Sequence, residues 1–286
     1  MNELLESLRR INAVARNTLI EAVRQKTFYI LFLFGLVLVG GSNFFTQFAF
    51  EEQFKFLKDI GYAAISWTGL IIALLSAAQL IPAEIERRTI YVVMSKPVRP
   101  FEFVLGKYLG LVSLLTFILL IMSSIFGLVL WWKEIDMIRA AGTSVDTDTI
   151  ARIHKEACDP RLIQAIFLIW AKLCVIASIA VFLSTLATST IFVVAMTIVI
   201  YLIGHLQTVA REVWMSREGG ILLWKKIFLA ALALFVPDLN AFNIIDEIIA
   251  GHHVLWRQTG EVLLYSGMYV VVLLAVSALI FEEREL

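Results

Sequence analysis

Residues 105–132 read Leu105-Gly106-Lys107-Tyr108-Leu109-Gly110, then LVSLLTFILL (111–120), IMSSIFGLVL (121–130) and Trp131-Trp132. Between Lys107 and Lys133 there is no charged residue. A hydrocarbon core about 30 Å thick needs roughly 20 apolar residues of helix, and this run exceeds that. It does not alternate polar and apolar as a barrel strand must. In lipid each backbone amide needs an internal partner, so the run is a membrane-spanning helix.

Five further runs of the same kind, at 28–50, 61–82, 163–187, 190–209 and 262–281, predict six spans. The bulk numbers agree. The 286 residues are 60% hydrophobic and 17% charged, with a mean hydropathy of +0.84. Soluble domains run at about 45–50% apolar and about 25% charged, so an ordinary soluble enzyme and a disordered chain are excluded. Lys+Arg and Asp+Glu balance at 24 each, so no global field recruits nucleic acid. Two cysteines cannot staple a secreted scaffold. Cys158 and Cys174 should lie at different depths and are not expected to pair. The expected fold is all-α: a single domain, 1–286, forming a polytopic bundle of six spans.

Two segments extend that bundle. Residues 1–27 carry Leu4, Leu8, Ile11, Ala15, Leu19 and Ala22 at helical spacing, with Glu6, Arg10, Asn17, Glu21 and Arg24 opposite. This is an amphipathic helix rather than a signal peptide, because its charges are spread along it. Such a helix lies in the membrane interface, or packs on the protein's own cytoplasmic face, or does both. Towards the other end, Ile221 to Val236 is apolar but is broken by Lys225 and Lys226 and followed by Pro237. Its uninterrupted part suits a re-entrant or interfacial helix; a seventh span would put the termini on opposite sides. We expect external segments at 133–162 and 210–261, the latter a re-entrant tract. Lys and Arg are denser in 1–27 and 83–104, which places the N-terminus inside.

No phosphate-binding loop, zinc-protease helix, nucleophile elbow or Cys-x-x-Cys occurs. His252-His253 has no third ligand nearby, and the spans lack paired carboxylates. No catalytic residue, metal or cofactor is expected. Inside the spans the polar candidates are Lys172 and His205, with Gln164 and Gln207. A lysine in lipid costs at least ~2.5 kcal/mol, so Lys172 should pair, line water or snorkel to the interface. Gly106 and Gly110 offer a close-packing face at the foot of the third span, or an accident of spacing. Trp131-Trp132 marks an interface.

The segment between the second and third spans is the most informative: Pro82-Ala83-Glu84-Ile85-Glu86-Arg87-Arg88-Thr89, then IYVVM (90–94), then Ser95-Lys96-Pro97-Val98-Arg99-Pro100-Phe101-Glu102. Residues 83–95 suit a short helix with acids in its first turn, where the dipole is positive. Pro97 ends it. Pro100, with Glu102 close behind, opens the next helix. Helix, rigid kink, helix at the membrane surface can transmit a push. A plain capped hairpin would have the same signals.

This connector resembles the first cytoplasmic loop of the membrane subunits of type-two ABC exporters. Glu86, Thr89, Met94, Ser95, Pro97, Arg99, Gly106 and Lys107 match that pattern, while Arg88 stands where glycine is frequent. The helix in 1–27 is similar to the family's cytoplasmic elbow. Leu234 to Asn243 and Phe281 to Leu286 resemble the tract before the last span and the tail of one branch. The resemblance implies a permease subunit that dimerises with itself or a close relative in the bacterial cytoplasmic (inner) membrane, both termini inside. It implies that a separate cytoplasmic ATPase docks on 83–100, so Glu84, Glu86, Arg87, Arg88, Thr89, Ser95, Lys96, Pro97 and Arg99 become coupling-loop candidates. ATP hydrolysis is expected in that partner, and membrane lipid is the remaining partner. An anchor that binds a cytosolic protein but moves nothing is the alternative. A membrane-embedded enzyme, channel or secondary transporter would want more charge or broken helices at mid-depth.

Overall fold

The computed structural model describes residues 2–46, 53–86, 99–141, 154, 159–215, 236–249 and 254–283. These are almost wholly helical, with no strand among them. In chain order the helices are α1 (Asn2–Arg24), α2 (Lys26–Phe45), α3 (Gln53–Gln79), α4 (Pro82–Glu86), α5 (Pro100–Ala141), α6 (Leu162–Leu186) and α7 (Thr190–Met215). A 3-10 turn (Leu239–Asn243), α8 (Ile244–Ile249) and α9 (Trp256–Glu283) follow.

Local chemistry sets several boundaries. Glu3 in the first turn of α1 and Arg24 in its last suit the helix dipole. Gln25 is extended, with φ −71° and ψ 128°, and this break turns α1 into α2. Pro82 and Pro100 each occupy a first helical position, where the missing amide proton costs nothing. At the start of α5 the Glu102 carboxylate accepts the backbone N–H of Arg99 at 3.1 Å, half of a capping box.

Six helices among the described residues are long and apolar enough to cross a membrane: α2, α3 with its continuation to Ile85, α5, α6, α7 to Gln207, and α9. The spans predicted at 28–50, 61–82, 105–132, 163–187, 190–209 and 262–281 are all present as helix where described. Their ends differ. α3 begins at Gln53 because Phe54 and Leu57 bury into the bundle and extend the helix past its apolar run. α5 continues to Ala141, so the first part of the expected 133–162 loop is helical. There Lys133 donates to Thr46 Oγ1 at 3.1 Å, and Glu134 lies 2.6 Å from His154 Nδ1. The 42 residues of α5 rise about 63 Å, twice the hydrocarbon thickness, so its ends stand clear of the core.

α6 is the hub: it packs on α3, α5, α7, α8 and α9. Small residues let the backbones approach, with Ala73 and Ala77 on α3 and Ala177, Ser178 and Ala180 on α6, all buried. α3 and α6 are mostly enclosed, whereas α2, α7 and α9 are mostly open. The open surfaces carry Ile30, Leu33 and Phe34 on α2 and Leu264, Met268 and Val271 on α9. Such surfaces are intolerable in water and ordinary against lipid tails. Span alternation puts α4, the start of α5 and the end of α9 at one end of the bundle. Phe103 and Phe281 stack there, with centroids 5.4 Å apart. The 236–249 segment and the start of α9 lie at the opposite end.

Candidate functional site

The connector's two roots are described and its middle is not. Glu84 sits in the first turn of α4, buried, and Glu86 is the last residue of α4. Arg99 is exposed just before α5. The side chain of Glu86, together with Arg87, Arg88, Thr89, Ser95, Lys96 and Pro97, lies outside the described residues, as do Cys158, His252, His253 and 216–235.

Both roots are tied down by ion pairs. Lys107, in the second turn of α5, is 2% exposed and makes a direct hydrogen-bonded ion pair with Glu84 across the base of the connector. Its Nζ is also 3.9 Å from Glu21 of α1 and sits over the Phe103 ring at 5.6 Å. A buried ammonium is tolerated only with such partners. At the other root, Arg10 of α1 grips Glu102 through Nε and Nη2, each at 2.8 Å. That is the bidentate fork characteristic of arginine and carboxylate. The Glu102 side chain raises the Arg10 guanidinium pKa above its ordinary value by accepting these hydrogen bonds, so the arginine stays charged.

These bonds depend on how closely α1 approaches α5, the most extensive helix contact among the described elements. Gly106 and Gly110 allow it. A Cβ on Gly106 would come within 2.7 Å of the Val14 Cβ, and one on Gly110 within 2.5 Å of the Ala15 carbonyl oxygen. The glycine pair is therefore a seat for α1. Of the two placements open to α1, the structure shows packing by one part of its apolar face, through Ile11, Thr18 and Ala22. Leu5 and Leu8 stay exposed on the flank of that face. Beside the seat, Thr18, Glu21, Gln25, Ser76, Gln79 and Ala83 line a small polar crevice between α1, α3 and the start of α4.

The two intramembrane candidates prove to be neighbours. Lys172 Nζ lies 3.2 Å from His205 Nε2 and 5.6 Å from the Tyr201 ring centroid. His205 Nδ1 is 3.1 Å from the Tyr201 carbonyl oxygen. A carbonyl can only accept and an ammonium can only donate. With Lys172 charged, Nδ1 carries the proton, Nε2 accepts from Lys172, and the imidazole is neutral. The 236–249 segment closes over this pair: Asn240 Nδ2 donates to the His205 carbonyl at 2.7 Å, and Gln207 Nε2 to the Val236 carbonyl at 2.5 Å. Gln164 is buried rather than snorkelled, and its Oε1 accepts no hydrogen bond among the described residues. Trp131 and Trp132 are exposed, as a belt pair should be.

Sequence reading missed Arg10, Glu21 and Glu102 as partners of the connector. Arg10 and Glu21 are visible as charges on the polar side of α1, but which helix they meet is a property of the fold. No cluster of three or more metal-ligating side chains occurs among the described residues.

The six long apolar helices and their lipid-like outer surfaces define an α-helical integral membrane protein. No family model matches the chain, and no curated protein matches it either.

Proposed function

We propose that the chain is the membrane-spanning permease subunit of an ABC exporter, moving a substrate with ATP hydrolysed by a separate cytoplasmic subunit. The observation that carries this reading is the double clamp on the connector's roots: Glu84–Lys107–Glu21 at one, Arg10–Glu102 at the other. A push that reaches either root is not absorbed there. It moves α5 and α1 together, and through Phe103–Phe281 it reaches α9. A loop that merely joined two spans would need none of this. The resemblance of 86–107 to the coupling loop of such permeases supports the same reading, and a partner ATPase supplies the phosphate-binding loop that this chain lacks. The ATPase docks on the connector, the subunit works as a homodimer or with a close relative, and both termini face the cytoplasm of a bacterial inner membrane.

The test is purification of the full chain in mild detergent. An ATPase should accompany it. Glu86→Arg and Arg88→Glu should uncouple hydrolysis from transport while the thermal unfolding of the chain stays unchanged. Undiminished coupling in both variants overturns the assignment of this loop.

A further inference from the structure

Lys172 and His205 take no part in the clamp and lie towards the opposite end of the bundle. Lys172 is about ten residues into α6, or about 15 Å along it. A cation placed there is expensive, and such residues mark substrate or ion paths. Yet its contact partner is a neutral imidazole. Among the described residues no carboxylate lies within ion-pair distance of Nζ; Asp246 on α8, itself exposed, acts on it only from further away. The ammonium has three donors. His205 takes one and the Tyr201 ring face attracts another. Among the described residues the third has no acceptor, and Lys172 is only part-buried, so it can be reached. The surface of α7 beside it is apolar and open, with Ile198, Leu202 and Leu206 exposed.

We propose that Lys172, oriented by His205 and Tyr201, binds the acidic headgroup of an amphiphile whose tail lies along α7. A phosphate or carboxylate oxygen accepts the third donor and neutralises the charge that the chain leaves open. The exposed Leu202 and Leu206 take the hydrocarbon. Asn240 and Gln207 hold the 236–249 segment beside the site, so the headgroup is held where that segment closes over the spans. As cargo recognition this rests on the permease reading; as binding it does not.

The experiment uses the purified full chain in an uncharged detergent, without any ATPase, so its outcome is independent of whether the chain is a permease. Thermal unfolding is followed by tryptophan fluorescence as dodecyl phosphate, dodecylphosphocholine or inorganic phosphate is added. A ligand of the folded state raises the midpoint by mass action. Dodecyl phosphate should raise it saturably in the wild type and in Lys172→Arg, and not in Lys172→Gln. The zwitterion and free phosphate should leave it unchanged. Should Lys172→Gln fail to fold, Asp246→Asn carries the test: removing the α8 carboxylate that acts on Lys172 should tighten dodecyl phosphate binding several-fold, and unchanged binding overturns the proposal. So does an equal shift in Lys172→Gln, an equal shift with dodecylphosphocholine, or no saturable shift in the wild type. A shift with free phosphate alone overturns the amphiphile assignment.

Discussion

Glu84 and Lys107 stand 23 residues apart, one near the start of the connector and one beyond its end, and form a direct ion pair. Both are buried, so the pair is sheltered from the solvent screening that weakens surface ion pairs. Removing Lys107 takes from the buried Glu84 its direct cationic partner. Lys107→Met should destabilise the chain by about 3 kcal/mol. Glu84→Gln with Lys107→Met should recover most of the loss, because a matched apolar-polar replacement leaves no lone charge. A double-mutant cycle on thermal unfolding in detergent checks this, and additive losses would show that the pair is not coupled.

Arg10 and Glu102 should behave differently, since the arginine is accessible from solvent. Arg10→Glu should loosen α1 from α5, and Arg10→Glu with Glu102→Arg should restore the contact. Hydrogen-exchange protection of the α1 amides reads the contact without touching the glycine seat. A swap that fails to restore that protection would place the role of Glu102 in capping α5 alone.

The same contact has a defined pH response on the arginine side. Folding raises the Arg10 pKa, so its contribution is complete below the ordinary arginine value and fades only above it. The protection factors of the α1 amides, each taken relative to the intrinsic exchange rate at that pH, should therefore be equal at about pH 6 and about pH 9. A fall across that interval would mean that some other group controls the contact.

Gly110→Ala puts a methyl against the Ala15 carbonyl, a backbone atom that cannot swing aside. The expected cost is roughly 1–3 kcal/mol of overpacking, or displacement of α1. Gly127→Ala, where nothing lies within 4 Å, should be silent. Hydrogen exchange of α1 amides distinguishes displacement from global loss, and equal behaviour of the two variants would argue against the seat.

Much of the fold was legible because lipid imposes one rule on all spans. Runs such as 105–132 and 163–187 cannot be anything but helix once their length and lack of charge are seen. Their ends were less legible, because hydropathy sees only the part in hydrocarbon; Phe54 and Leu57 extend α3 through packing that no local window contains. The connector's boundary at Pro100 was readable from proline stereochemistry. Its clamps were not. Arg10 and Glu102 are 92 residues apart, and nothing local pairs them. Lys172 and His205 were each conspicuous as polar residues in apolar helices, but their contact needed the arrangement of α6 and α7. The glycines at 106 and 110 showed the intermediate case: a recognisable spacing whose partner, α1 rather than another span, only the fold supplies.

One measurement decides whether the connector is a cytosolic lever. A photo-cross-linking amino acid is placed at Arg88 in native membranes, and a membrane-impermeant thiol reagent is applied to a cysteine at the same position in sealed cells. The lever reading requires an adduct with a nucleotide-hydrolysing subunit and no labelling until the cells are opened. Labelling from outside, or adducts that contain no such subunit, would contradict it.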